Sequence, residues 1–234
     1  MRRLGIICAA LAVSMGMPVA AAQDDEPVLC GPPGGEQPAT IVGSGTIIGT
    51  SGDDVIVGSA GVDVIDGGKG NDIICAQAGN DVVQGGPGDD ILIGDDEALP
   101  PFAPSNGNND DVLNGGPGDD LIAGLSGDDD MRGGPGDDEL IGMGGDDSAT
   151  GGPGDDTAFG GPGDDFIAGA PGNDTLWGNY GSDRITGGPG DDFIDGDNPF
   201  PAPGPLPFPP GTNNDNCTGG PGADTIANCE ITTG

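Results

Sequence analysis

Aspartate recurs at every ninth residue along most of this chain. From Gly151 to Asp195 the sequence divides into GGPGDDTAF, GGPGDDFIA, GAPGNDTLW, GNYGSDRIT and GGPGDDFID, and the sixth position of every unit is Asp. That position holds Asp54, Asp63, Asp72, Asp81 and Asp90 in an earlier tract. It continues through Asp111, Asp120, Asp129, Asp138, Asp147, Asp156, Asp165, Asp174, Asp183 and Asp192, and ends with Asp215 and Asp224. Carboxylates fixed in phase fall into line when units stack. Neighbours in such a column lie near the ~4.8 Å spacing of paired strands, where two unit charges repel by about 1 kcal/mol in water and by more in a less polar medium. The column therefore requires cations. Carboxylate oxygens and the carbonyls of a glycine-rich turn form a hard, all-oxygen site with six or more ligands, which suits Ca2+ better than Mg2+.

The remaining positions explain how those carboxylates are held. Gly at positions 1 and 4 permits a tight turn, Pro at position 3 fixes its own φ, and position 8 is usually apolar, as in Ile167, Leu176 and Ile185. The x-apolar-x triplet alternates like a short strand with one buried face. Each unit thus reads as a turn of six and a strand of three.

The pattern GGxGxDxUx, with U apolar, resembles the RTX or hemolysin-type calcium-binding repeat. The resemblance implies an all-β fold: a parallel β-roll, a β-helix or solenoid with two strands per turn. It also implies that calcium bridges coils two units apart, as between Asp156 and Asp174 or Asp165 and Asp183, with turn carbonyls completing the shell. Seventeen Asp-bearing coils in two rows leave room for at most fifteen ions. Position 5 is also often Asp, as at Asp53, Asp155 and Asp164, but alternates with Asn, Val and Ser, and is read as solvent-facing.

Residues 1–22 have a secretory layout: Arg2 and Arg3, an apolar stretch from Leu4 to Val13, and the small residues Ala20, Ala21 and Ala22, with cleavage expected before Gln23. The apolar stretch is too short to span a membrane. The repeat family typically uses an uncleaved C-terminal export signal instead. Residues 23–39 read as an irregular leader. The roll itself is expected over 40–227, interrupted by insertions at 94–105 and 196–209, with a C-terminal tail at 228–234. Thr40 to Ile48 keeps the phase but has Gly45 in place of Asp, as in a cap coil without metal. Ala149 and Ala158 at position 8 mark the thinnest part of the core.

With 51 Gly, 23 Pro and 3% aromatic residues, composition alone suggests disorder; the strict period overrides it. The formal charge is -35, and removing the leader leaves Lys69, Arg132 and Arg184 against the same 40 acids, or -37. Nucleic acid and anionic membranes are repelled by such a chain, and calcium ions are the expected partner. Four cysteines remain beyond the leader, and pairing of Cys30 with Cys75 and of Cys217 with Cys229 would pin each end in an oxidising setting. Thiol metal binding is the rival reading, weakened by wide spacing and by the absence of His.

No histidine is present, the period accounts for nearly every Asp, and no enzyme activity is expected. The expected function is that of a secreted protein that binds multiple Ca2+ ions and folds with them. The alternative is an extracellular adhesion or glycan-binding module that uses calcium only structurally, in which Trp177 and Tyr180 could stack on a sugar. The insertions, carrying Phe102, Phe200, Leu206 and Phe208, are where a cell-surface or self-association partner would dock.

Overall fold

The computed structural model describes residues 29–31, 37–95, 109–197, 215–229 and 231–232. Residues 1–22, where an export leader is expected, most of both insertions with their apolar residues, and part of the tail lie outside the described residues. Each x-apolar-x triplet forms a strand, and each turn carries the chain into the opposite sheet. Val55–Val57 and Ile73–Cys75 therefore belong to one sheet, and Val64–Asp66 and Val82–Gln84 to the other. Both sheets have ten strands and are parallel throughout, one beginning at Ile41–Val42 and the other at Thr46–Ile48. This is the all-β parallel roll that the resemblance to the repeat family implied.

The register steps by two units, as in Ile65 opposite Val83 and Ala149 opposite Ile167. The interruptions leave it intact: Leu113 stands opposite Val83, and Cys217 opposite Ile185. Gly94 donates its N–H to the Ala123 carbonyl at 2.9 Å, as a position-1 glycine does, and its Cα faces the carboxylate of Asp111. Gly196 faces Asp215 in the same way. Each interruption therefore falls inside a turn, after its first residues, and not between two complete coils.

Position 8 supplies a single file of core side chains between the sheets. Ile56, Ile65, Ile74, Leu92, Leu113 and Ile122 are among those fully buried. Burying each contributes about 1.5–3 kcal/mol. Ala149 and Ala158 occupy the same file and are equally enclosed, so the core is narrowest there. A second apolar cluster lies outside the first sheet, where Cys30 and Ala39 cover Val55, Val57 and Cys75. Here Leu29–Cys30 pairs antiparallel with Gln37–Pro38, in a leader where no periodicity is legible. Disulfides join Cys30 to Cys75 and Cys217 to Cys229. The first ties the leader to the roll and the second ties the last coils together.

Candidate metal centre

The position-6 aspartates form two columns, one along each edge of the roll. Asp54, Asp72, Asp90, Asp120, Asp138, Asp156, Asp174, Asp192 and Asp224 stand in one, and Asp63, Asp81, Asp111, Asp129, Asp147, Asp165, Asp183 and Asp215 in the other. From Asp72 and Asp81 onward one oxygen of each carboxylate has a fixed task, which is to accept the N–H of the preceding Asp in its column. Asp147 donates to Asp165 Oδ1 at 2.8 Å, and Asp165 donates to Asp183 Oδ1 at 2.9 Å. The Asp carbonyls join the ladder too, as Phe166 donates to the Asp147 carbonyl at 2.8 Å. All these carboxylates are buried except that of Asp224, which is half-buried.

The second oxygen decides the chemistry. In Asp72, Asp81, Asp90, Asp111, Asp120, Asp129, Asp138, Asp147, Asp156, Asp165, Asp174, Asp183 and Asp192, Oδ2 is sequestered and accepts no hydrogen bond. A buried, unsatisfied polar atom costs about 1–3 kcal/mol, and more when charged. With the carboxylates ionised, that cost would recur at all thirteen unless a cation or a proton offset it. The position-1 glycines belong to the same arrangement. A Cβ on Gly160 would collide with Asp165 Oδ2 and lie 2.7 Å from the Gly178 carbonyl oxygen, so two oxygens from successive turns converge on one glycine face. Glycine is needed there for close approach, since position 1 does not adopt a left-handed φ.

Among the described residues no three acidic side chains converge on one point. Each turn contributes a single carboxylate to its edge, so carbonyl oxygens must supply most of any metal shell. Oxygen donors of this mixed kind fit a hard cation of flexible coordination, and calcium fits better than a soft or nitrogen-seeking metal.

Burial pushes these carboxyls well above the ordinary range. Asp165 rises to about 9, Asp111 and Asp129 to about 8, and Asp120, Asp147, Asp156 and Asp183 to about 7. At Asp165 the bond accepted from Asp147 opposes the shift, while the charges of Asp147 and Asp183 add to it. Cation binding would reverse this penalty by favouring the ionised form.

Asp54 and Asp63 differ from the rest. Asp54 Oδ2 accepts the Thr50 N–H at 2.7 Å, and Asp63 Oδ2 accepts the Ser59 N–H at 2.6 Å and its hydroxyl at 3.0 Å.

Position 5 has a role that the sequence reading missed. Its side chains are exposed, yet the aspartates there and Asn71 and Asn173 accept the N–H of position 5 on the following turn. Asp155 donates to Asp137 Oδ1 at 3.0 Å, Asn173 to Asp155 Oδ1 at 2.8 Å, and Ser182 to Asp164 Oδ1 at 2.8 Å. The legible signal was the interchange of Asp and Asn at eighteen-residue spacing, since both offer that acceptor. The ladder runs in the opposite direction to the one at position 6. Trp177 is also engaged: its ring stacks on Phe159 with centroids 4.5 Å apart and planes at 5°. One face is thereby closed to a sugar.

No curated protein matches the chain. The family model for the RTX calcium-binding nonapeptide repeat, in 4 copies, matches residues 42–74, 76–98, 105–140, 132–167, 141–176 and 168–198. These segments span well over half of the sequence and take in both aspartate columns as far as Asp192 and Asp183. The chain belongs to the family of RTX calcium-binding nonapeptide repeats.

Proposed function

We propose that this protein is a secreted calcium-binding roll whose coils fold as they take up Ca2+. The observation that carries the reading is the pair of columns of buried second carboxylate oxygens from Asp72 to Asp192. Neighbouring column members would share each ion with turn carbonyls, Asp156 with Asp174 and Asp165 with Asp183 being two such pairs. Calcium, when bound, supplies the positive charge that the columns lack. The chain's own residues do the rest: position-1 glycines admit the carboxylates, Oδ1 and the Asp main chain lock successive turns, and position 8 closes the core.

The coupling to folding follows from the thinness of that core. One Ile or Leu per coil contributes about 1.5–3 kcal/mol, while ordering nine residues of backbone costs roughly 1–2 kcal/mol each. Ladder hydrogen bonds narrow this gap, and ions offset the repulsion that remains. Export is supported by residues 1–22 and by two disulfides, which suit an oxidising compartment. The roll would occupy 40–227, with cleavage before Gln23 and a tail from 228.

Calcium titration of chelated, full-length protein followed by far-UV circular dichroism tests this reading. Cooperative gain of β structure is expected. Replacing Asp165 and Asp183 together by Asn should lower the number of ions bound and raise the calcium midpoint. A β spectrum insensitive to excess chelator across the whole chain would rule the coupling out.

A further inference from the structure

The first two aspartate-bearing turns carry the family's Asp but not its site. Both oxygens of Asp63 are taken by protein donors: Oδ1 by the Gly45 N–H, and Oδ2 by the Ser59 N–H and hydroxyl. Asp54 Oδ2 is taken by Thr50, and its Oδ1 lies 3.4 Å from the Thr40 hydroxyl. An N–H aimed at a carboxylate oxygen presents its positive end where a cation would have to sit. The two turns therefore do not fit calcium, although they hold the residue that elsewhere fits it.

The cause is position 2. From the third aspartate-bearing coil onward this residue is left-handed in every uninterrupted coil, with φ of +106° at Gly68, +81° at Gln77, +84° at Leu125 and +123° at Gly152. The fold imposes that conformation even on side chains that resist it. Its N–H then points along the roll, as Gly152 donates to the Gly169 carbonyl at 3.0 Å, and leaves the carboxylate alone. Thr50 and Ser59 are not left-handed. For a β-branched residue such as Thr that region is a genuine outlier. The peptide instead turns its N–H inward onto the Asp of its own coil.

The same coils are held by contacts that need no ion. Thr40 accepts the Val55 N–H at 2.9 Å, the Val64 N–H reaches the Gly45 carbonyl at 2.7 Å, and Gly43 reaches the Val57 carbonyl at 3.0 Å. The leader covers Val55 and Val57 on the outer face, so the chain is three layers deep here, and Cys30 is bonded to Cys75. We infer that residues 37–66, with Cys30 held against them by its bond to Cys75, form a calcium-independent seed, and that calcium uptake begins at Asp72, in the next coil, and at Asp81. In a stacked repeat each coil contacts only its neighbours, so a preformed end spares the remaining coils a costly first turn. This inference rests on the calcium reading above for its second half only.

Hydrogen exchange read by mass spectrometry on the full disulfide-bonded chain, with and without chelator, separates the two regions. Expected in chelator is protection of peptides covering residues 41–66 that exceeds that of peptides covering 121–195 by at least about a hundredfold, with calcium raising only the latter. Equal, unprotected exchange in both regions in chelator would overturn the seed. Counting bound calcium gives the second arm: Asp54→Asn with Asp63→Asn should leave the count unchanged, whereas Asp165→Asn with Asp183→Asn should lower it. A loss in the first pair equal to that in the second would overturn the assignment. A wild-type chain that takes up no calcium, yet keeps its N-terminal protection in chelator, would sink the functional reading and leave the seed standing.

Discussion

Asp54 and Asp156 stand in one column, one near its start and one in its middle, and both are withdrawn from solvent. Asp72 and Asp174, their next neighbours, each accept the N–H of the residue before them, at 2.8 and 2.9 Å. The two turns differ four residues upstream of the aspartate, where one has Thr50 and the other Gly152. With Thr50 the second oxygen of Asp54 meets an N–H; with Gly152 at φ +123° the second oxygen of Asp156 meets none. On the proposed reading, the backbone at position 2 of an uninterrupted coil sets whether that coil needs an ion, while the spacing of Asp sets only where an ion would sit. A metal-free turn and a metal-dependent turn can then share one fold and one register.

The largest effect that sharpens this contrast is pH in the absence of calcium. From Asp81 to Asp183 burial raises the folded-state carboxyls from 3.8 to values between about 6 and about 9. Unfolded, they ionise near 3.8; folded, they keep their protons to higher pH, so the folded coils bind more protons between these limits. The stability of the ion-free coils is therefore greatest below about pH 4 and is lost as pH rises through about 6 to 9. Chelated protein should gain β structure on acidification, which circular dichroism will register. With calcium present the slope reverses, because protons and calcium compete for the same oxygens. Calcium affinity should fall as the pH is lowered.

Transplanting position 2 comes next. Gly152→Thr would force a β-branched residue into a left-handed turn and drive its Cβ against the Gly134 carbonyl. A loss on the order of 4 kcal/mol in the calcium-loaded protein is expected, measurable by denaturant unfolding. The converse, Thr50→Gly, removes the obstacle to a left-handed φ and should convert protection of residues 49–57 from calcium-independent to calcium-sensitive in hydrogen exchange.

Core truncation should divide the regions by condition. Ile167→Ala removes a fully buried side chain next to the alanine stretch at Ala149 and Ala158, and about 3 kcal/mol should be lost from the calcium-loaded protein. In chelator the same change should leave the protection of residues 41–66 untouched, whereas Ile56→Ala should abolish that protection. The smallest effect is expected on the outer ladder. Asp164→Ala deletes an exposed acceptor for the Ser182 N–H and should cost about 0.5–1 kcal/mol. Asp164→Asn keeps the acceptor and should be near neutral.

The nine-residue period by itself determined a great deal. It specified strands of three at positions 7 to 9, the apolar file at position 8 and aspartates in line from coil to coil, whereas two units per turn, and so two edges of aspartates, came from the resemblance to the repeat family. It also located Ala149 and Ala158 as the thinnest part of the core. Tertiary structure decided what depends on the next turn and not on the residue itself. Oδ1 is shared with a backbone N–H two units away, and Oδ2 is either taken or left according to the φ of another residue. Position 5 shows the same limit, since exposure was legible from its variability but its bond to the following turn was not. The interruption at Gly94 is a further case: counting by nines marks where the phase is lost and resumed, but only the stacking of Gly94 against Asp111 and Ala123 places the break inside a turn. A linear sequence lists which donors and acceptors exist. Which of them meet is settled when coils two units apart come within hydrogen-bonding distance.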